Sequence, residues 1–352
     1  MGVARPRPSE RAGSTVYPGP TSGPPMPFPL SEWIDGHDDC RHNLAKSGMI
    51  DSIPTPFPSS AEIRKADPTA LRERLADDLG VDPRRVFLTT GGSQANALAL
   101  LYLGRTQSGR TGRCRVCYPE YPPLFDTARA AGFRLTDSMG PADVAVVSQP
   151  RNPEGDLWER SRLLDWASGA RALVVDETFR EFAGTRSVTA TDRPGLWATG
   201  SFTKFYAADA LRVGFVAVPE EAVDGFGAFH GLVTNLLPPF SVAGAQRALR
   251  QRSSIRRAVR RIVEKNVRTL ERSLPEISRP QGPVAFDRLG RSDSGDALAR
   301  RALRHSVLVC SGSFFGDPSG VRLCLTRRSF DSDLRAYLAV RDRTPKRPRA
   351  GR

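Results

Sequence analysis

Between Ser201 and Gly214 the chain reads Ser-Phe-Thr-Lys-Phe-Tyr-Ala-Ala-Asp-Ala-Leu-Arg-Val-Gly, which sets Lys204 eight residues before Arg212 with two hydroxyls just upstream. A lysine amine condenses with an aldehyde to an imine when its surroundings hold its pKa low enough to leave it unprotonated. Ser201, Thr203 and Arg212 can converge on a phosphate, because hydroxyls donate single hydrogen bonds and a guanidinium donates a charged fork. The segment therefore suits a small molecule that carries both an aldehyde and a phosphate. Gly92, Ser93 and Gln94 stand where a helix opens, so their backbone amides and the helix dipole offer a second set of donors to an anion.

An aldehyde and a phosphate on one molecule describe pyridoxal phosphate, a cofactor that brings its own chemistry. Four further blocks occur in order around the lysine segment: Thr90-Gly91-Gly92-Ser93-Gln94-Ala95 after the apolar run Val86 to Leu88, Tyr118-Pro119-Glu120-Tyr121-Pro122-Pro123, Gln149-Pro150-Arg151-Asn152-Pro153-Glu154-Gly155, and Ala172 to Phe179 with Asp176 after four apolar residues. One such block is weak evidence, whereas five in sequence are specific. Together they resemble the fold type I pyridoxal-phosphate enzymes, in the class I and II aminotransferase branch that holds histidinol-phosphate aminotransferase and threonine-phosphate decarboxylase. The resemblance covers roughly residues 31 to 343.

The resemblance implies a role for each block. Lys204 would carry the cofactor as a Schiff base, and Asp176 would face the pyridine nitrogen and keep it protonated. Asn152 would donate to the phenolate oxygen, and Tyr121 would stack on the ring, with Tyr118 as a rival for that place. Arg322, in Gly320-Val321-Arg322-Leu323-Cys324-Leu325, would clamp the substrate's α-carboxylate and help choose which bond breaks. Ser47 and Gly48 stand where a substrate carboxylate contact is expected, though a simple turn accounts equally well for such a pair.

Three departures bear on the reaction. Phe179 stands where the family often has a tyrosine that gives the phenolate oxygen a second hydrogen bond. The block near the start that is asparagine-glutamate-asparagine-proline in histidinol-phosphate aminotransferases reads Asn43-Leu44-Ala45-Lys46-Ser47-Gly48, and Asp209-Ala210 replaces the family's proline-glycine before Leu211-Arg212. The lysine segment and Phe179 lean towards threonine-phosphate decarboxylase. The resemblance implies a homodimeric enzyme that transfers an amino group between an amino acid and a 2-oxo acid in specialised biosynthesis, on a substrate that can be anionic or phosphorylated. Decarboxylation, elimination, replacement and amine oxidation on the same cofactor stay open, because fold and cofactor do not settle the reaction. A regulator on this scaffold would carry a helix-turn-helix domain, and the Pro-rich start offers none.

The elements that must position these residues follow from the patterning. From about Asp67, apolar runs alternate with helical stretches: a helix from Asp67-Pro68 through Leu79, a strand from Val86 to Leu88, a helix from Ser93 to Leu103. Strands are expected at Arg115 to Tyr118, Val144 to Ser148, Leu173 to Asp176, Leu196 to Ser201 and Val213 to Val218. This predicts an α/β fold: a large domain with a mostly parallel, seven-stranded sheet sandwiched by helices, plus a smaller α+β domain. Most blocks fall at the carboxyl end of a strand, where open sheets of this kind bind ligands. The expected division is an N-terminal arm over 1–30, the start of the small domain over 31–66, the large domain over 67–240, the rest of the small domain over 241–343 and a basic tail over 344–352. Helices are expected from Val242 to about Leu274, with strands near Val284 to Phe286, Val307 to Val309 and Val321 to Thr326.

Composition narrows the alternatives. The net charge of +14, from 52 Lys and Arg against 38 Asp and Glu, is spread along helices rather than gathered, so a solvated basic surface is expected and no nucleic-acid partner. No long uncharged apolar run marks a membrane span or a signal core, which predicts a cytoplasmic protein without a membrane partner. Five cysteines, an odd and scattered set, predict no disulfide framework. The lone pair Cys114 and Cys117 lacks companion ligands, so no metal is expected.

Overall fold

The computed structural model of the protein describes residues 29–106, 111–191, 193–234, 236–290 and 294–342. The expected basic tail and all but the last two residues of the expected arm lie outside the described residues. Pro29 and Leu30 instead open a helix, α1 (Pro29–Asp35), and Leu30 is buried against Ala45, Cys310 and Phe315. There follow β1 (His42–Asn43), α2 (Ser60–Arg64) and α3 (Pro68–Leu79). The Asp67 carboxylate accepts from the Thr69 and Ala70 amides, Pro68 takes the first helical position, and Gly80 ends α3 in the left-handed conformation at φ 69°.

The next stretch alternates strand and helix: β2 (Val86–Thr89), α4 (Gly92–Arg105), β3 (Arg113–Val116), α5 (Pro122–Ala130), β4 (Arg134–Thr136), β5 (Ala142–Ser148), α6 (Arg160–Trp166), β6 (Ala170–Asp176), α7 (Arg180–Ala183), β7 (Leu196–Ser201), β8 (Gly214–Ala217) and α8 (Val223–Val233). Its strands form one seven-stranded sheet in the order β2-β8-β7-β6-β5-β3-β4. Only β8 runs against the rest, pairing antiparallel with both β2 and β7. Every residue of β5 is buried, as a parallel strand covered on both faces requires. Along β7 and β8 the two-residue period sends Ala198, Phe215 and Ala217 to one face, with Leu71, Leu75 and Phe205, and Trp197 and Val216 to the other, with Leu98 and Phe226.

After α9 (Pro239–Arg250) and α10 (Arg252–Ser273), a second unit is built from β9 (Val284–Arg288), α11 (Gly295–Leu303), β10 (Val307–Leu308), β11 (Cys310–Ser311), β12 (Gly320–Cys324) and α12 (Phe330–Arg341). Strands β11, β12 and β9 make an antiparallel sheet. The early strand β1 pairs with β10 in a separate two-stranded sheet, and the Cys324 amide at the end of β12 donates to the Leu44 carbonyl at 2.8 Å. The segment at Leu44 and Ala45 is thereby packed beside Arg322.

Several boundaries differ from the sequence expectation. Strand β3 ends at Val116, two residues before the expected Tyr118, because the chain turns there towards Pro119, which has no amide to offer a ladder. Strands β5 and β6 begin earlier than expected, at Ala142 and Ala170, which pair with each other. Strand β4, Arg-Leu-Thr at the sheet edge, has no apolar run to announce it. No helix among the described residues is long and apolar enough to cross a membrane.

Candidate active site

A cavity of about 430 Å³ opens at the carboxyl ends of β5, β6 and β7, where Ser148, Asp176 and Ser201 stand, and faces β12 across from them. Gly92, Ser93, Tyr121, Asn152, Asp176, Ser201, Thr203, Lys204, Arg212, Arg322, Ser47 and Gly48 all line it. Residues up to 275 positions apart thus share one wall, a separation that only the fold can close. Gln94 is the exception: its Oε1 turns back to accept from the Thr90 amide at 2.7 Å, so its side chain braces the loop instead of facing the cavity. Tyr118 packs against Phe125 with ring centroids 5.3 Å apart, which leaves Tyr121 as the tyrosine on the cavity wall.

The anion side of the cavity is shaped by close backbone approach. A Cβ at Gly214 would sit 2.5 Å from the Gly91 carbonyl carbon, and one at Gly92 would sit 3.0 Å from Ser201 Cβ. Only glycine lets β8 and the start of α4 come together this closely. The Ser201 and Thr203 hydroxyls are 2.9 Å apart, and the Arg212 guanidinium lies over Gly91 while bonding Asp209 Oδ1 at 2.9 Å. Arg212 and Ala207 both hold positive φ, 46° and 50°, on the loop that follows Lys204. Non-glycine residues adopt this conformation only where surrounding contacts enforce it. A guanidinium, two hydroxyls and a helix N-terminus around a space with no room for a Cβ fit a phosphate.

The opposite side carries the titratable groups. Asp176 is buried; its Oδ1 accepts from the Thr178 amide at 2.9 Å and its Oδ2 from Asn96 Nδ2 at 2.8 Å, while the Asn96 carbonyl takes the Thr199 hydroxyl. Burial raises the Asp176 carboxyl above its ordinary value, and these hydrogen bonds work against it. A cation brought to Asp176 would bring the carboxyl down again. Lys204 is lowered, first by burial, with the Arg322 and Arg212 charges acting the same way and Asp209 opposing. A lowered lysine keeps more of its amine free near neutral pH.

Arg322 is 2% exposed and stacks over Phe315, 4.9 Å from the ring centroid. Its Nη2 donates to the Ala45 carbonyl at 2.7 Å and its Nη1 to Asn152 Oδ1 at 3.2 Å. Among the described residues no carboxylate ion-pairs with it. A buried, uncompensated guanidinium on a cavity wall is prepared for an anion from outside. Because Arg322 occupies Asn152 Oδ1, the Asn152 amide nitrogen remains for a second partner.

Sequence reasoning missed Asn96, Thr178 and Ser148, which hold Asp176 and Asn152 or line the cavity. Asn96 was legible in principle, as a polar residue inside the apolar helical run Ala95 to Leu101. Phe179 is buried against Val284 and Cys324 at the cavity wall, so no hydroxyl is present at that place.

The family model for aminotransferase class I and II matches residues 58–332. A histidinol-phosphate aminotransferase of Thermococcus kodakarensis is 28% identical over 62% of this chain and 63% of its own length. A threonine-phosphate decarboxylase of Pseudomonas aeruginosa is 31% identical over 68% of this chain and 73% of its own. Among solved structures, a PLP-dependent aminotransferase from Streptococcus suis superposes with a TM-score of 0.75 at 20% identity, covering 91% of this chain and 100% of that one. The PLP-dependent cyclase OrfR gives 0.70 at 25% identity over 94% and 98%. The architecture is fold type I.

Proposed function

This chain belongs to the aminotransferase class I and II family, whose cofactor is pyridoxal phosphate, and on that premise we propose that it transfers an amino group between an amino acid and a 2-oxo acid, with Lys204 as the residue that bonds the cofactor's aldehyde. The carrying observation is that Lys204, with its lowered pKa, and Arg322, buried without a counter-ion, share one cavity with the buried Asp176. When bound, the cofactor withdraws the electron pair left by a broken bond at the substrate's α-carbon.

The protein's own residues divide the remaining tasks. The amides at the start of α4 and the Ser201, Thr203 and Arg212 side chains hold the phosphate, and Tyr121 covers the ring face. Asp176 would present a carboxylate to the ring nitrogen, while the Asn152 side-chain nitrogen, set by the bond of Oδ1 to Arg322, would donate to the phenolate oxygen. Arg322 holds the substrate carboxylate and so orients the α-carbon. The Lys204 amine would hold and move the proton at the substrate's α-carbon. Lys46, bonded to Asp38 at 2.8 Å, is a further cation on the wall and suits an anionic substrate end, as in the phosphorylated substrates named in the two relatives.

The test is the absorbance of purified protein before and after adding amino acids, threonine phosphate among them, and the amino-alcohol phosphate histidinol phosphate. Conversion of the cofactor band to its amine form with release of the matching 2-oxo acid, or of a ketone from histidinol phosphate, supports transamination. Release of carbon dioxide without the amine form would replace it with decarboxylation, the reading that Phe179 and the Pseudomonas relative favour. Absence of any cofactor band overturns both. Arg212→Ala should weaken cofactor binding roughly 10- to 100-fold, since a hydrogen bond to a charged group contributes about 1.5–3 kcal/mol; retention at wild-type affinity after dialysis would remove Arg212 from the phosphate site.

A homodimer forms part of the same reading. Leu232 and Leu236 are 83% and 84% exposed, Val233 lies between them in sequence, and the exposed Phe57 and Phe240 rings are 6.0 Å apart. Apolar side chains of this size on one chain favour a covered surface. Sedimentation should give a dimer, and a monomer at micromolar concentration would count against it.

A further inference from the structure

Glu120 is fully buried at the end of the turn before α5, and none of the tasks above uses it. Its Oε1 accepts from the Tyr121 amide at 2.7 Å and from the Ser148 hydroxyl at 2.5 Å, and its Oε2 accepts from the Ser148 amide at 3.0 Å. Ser148 Oγ in turn accepts from the Asn152 backbone N–H at 2.9 Å. One carboxylate thus reaches both the residue assigned to the ring face and the residue assigned to the phenolate oxygen. Arg151 Nε stands 3.8 Å from Oε2, and Arg151 Nη2 is itself bound to the Cys117 and Pro119 carbonyls.

We propose that Glu120 is a positioning residue that holds Tyr121 and Asn152 in fixed relation through its carboxylate and Ser148. The inference rests on the reading of the site given above. The direction of the hydroxyl explains why a carboxylate is needed: while Ser148 donates its hydrogen to Glu120, its oxygen lone pair is left for the Asn152 backbone N–H, which fixes where that residue's side chain starts. In Glu120→Gln one oxygen becomes an amide nitrogen, so one of the three donors meets another donor and the arrangement must shift. The effect is transmitted to Asn152 without contact between Glu120 and the cofactor.

The pKa of Glu120 is pushed up to about 7 by burial, against Arg151 and these donors, so its carboxylate form prevails on the alkaline side of neutrality. The experiment is accordingly run at about pH 8, on cofactor-loaded protein, reading the ratio of the protonated to the unprotonated absorbance band of the lysine-bound cofactor. Loss of a donor to the phenolate oxygen favours the protonated form. Asn152→Ala should therefore raise the ratio, and Glu120→Gln should raise it in the same direction by a smaller amount. Ser148→Ala, which leaves the Glu120 and Arg151 charges in place, should do likewise and guards against a Glu120 variant that fails to fold. A wild-type ratio in Glu120→Gln and Ser148→Ala, with Asn152→Ala shifted, would show that Glu120 serves only to neutralise Arg151 and would overturn this inference alone. If wild-type protein shows no band at all, the reading of the site falls with it.

Discussion

Replacing Lys204 by alanine should abolish the visible band of the lysine-bound cofactor and lower turnover by roughly a hundred- to ten-thousand-fold through loss of proton transfer alone. The fold should survive, since the backbone contact of this residue, Lys204 carbonyl to Met49 amide at 2.9 Å, does not involve the side chain. The pH dependence of stability gives an independent check on cofactor-free protein. Because the Lys204 pKa is lowered below 10.5 in the folded state, the unfolded chain binds more protons at this position between the two values, and stability rises with pH across that window. Lys204→Ala lacks this contribution, so the advantage of wild type over the variant should grow towards pH 10.5. An unchanged spectrum in Lys204→Ala would sink the assignment of the cofactor's attachment.

Asp176→Asn should lower turnover about 10²- to 10³-fold, the range seen when a single preorganised electrostatic partner is removed from an active site. Asn cannot reproduce the present bonding, because both Asp176 oxygens accept hydrogen bonds, from Thr178 and Asn96. The sign of the stability effect is opposite to that of Lys204. The Asp176 pKa is raised above 3.8 in the folded state, so the native protein holds the proton more tightly and loses stability as pH rises through the folded value. In cofactor-free protein Asp176→Asn removes that loss, and the variant should gain on wild type as pH increases. Turnover within a factor of a few of wild type, with cofactor bound, would show that Asp176 is not the partner of the ring nitrogen.

How far the site was legible in the chain can be judged from particular residues. Lys204, Ser201, Thr203 and Arg212 belong to one short segment, and the local order of hydroxyl, amine and guanidinium already suits an aldehyde and a phosphate, the basis of the site proposed here. Gly92 was legible because a pair of glycines before an apolar helical run leaves amides exposed at its start. The Gln94 side chain, by contrast, was not legible, because whether a side chain at a helix start faces a cavity or folds back on Thr90 depends on the loop's path. Strand β4 and helix α8 gave weak patterns, the first because none of its residues is buried and the second from glycines at 225, 227 and 231. Their formation rests on packing, with Phe226 of α8 buried against Trp197 and Phe87.

The sequence by itself determined the elements with a strong local signal: buried strands read from apolar runs, helix starts read from Asp67-Pro68 and Gly91-Gly92, and the proposal of a cofactor segment whose reactive side chains lie within fourteen residues. Only the tertiary structure decided that Arg322 is buried without a counter-ion, that Asn152 spends its carbonyl on it, that Tyr121 and not Tyr118 reaches the cavity, and that Glu120 ties two distant blocks together. Those facts depend on contacts across 28 to 277 residues. Local patterning cannot report such contacts, because charge compensation and desolvation are properties of the space around a group and not of its neighbours in the chain.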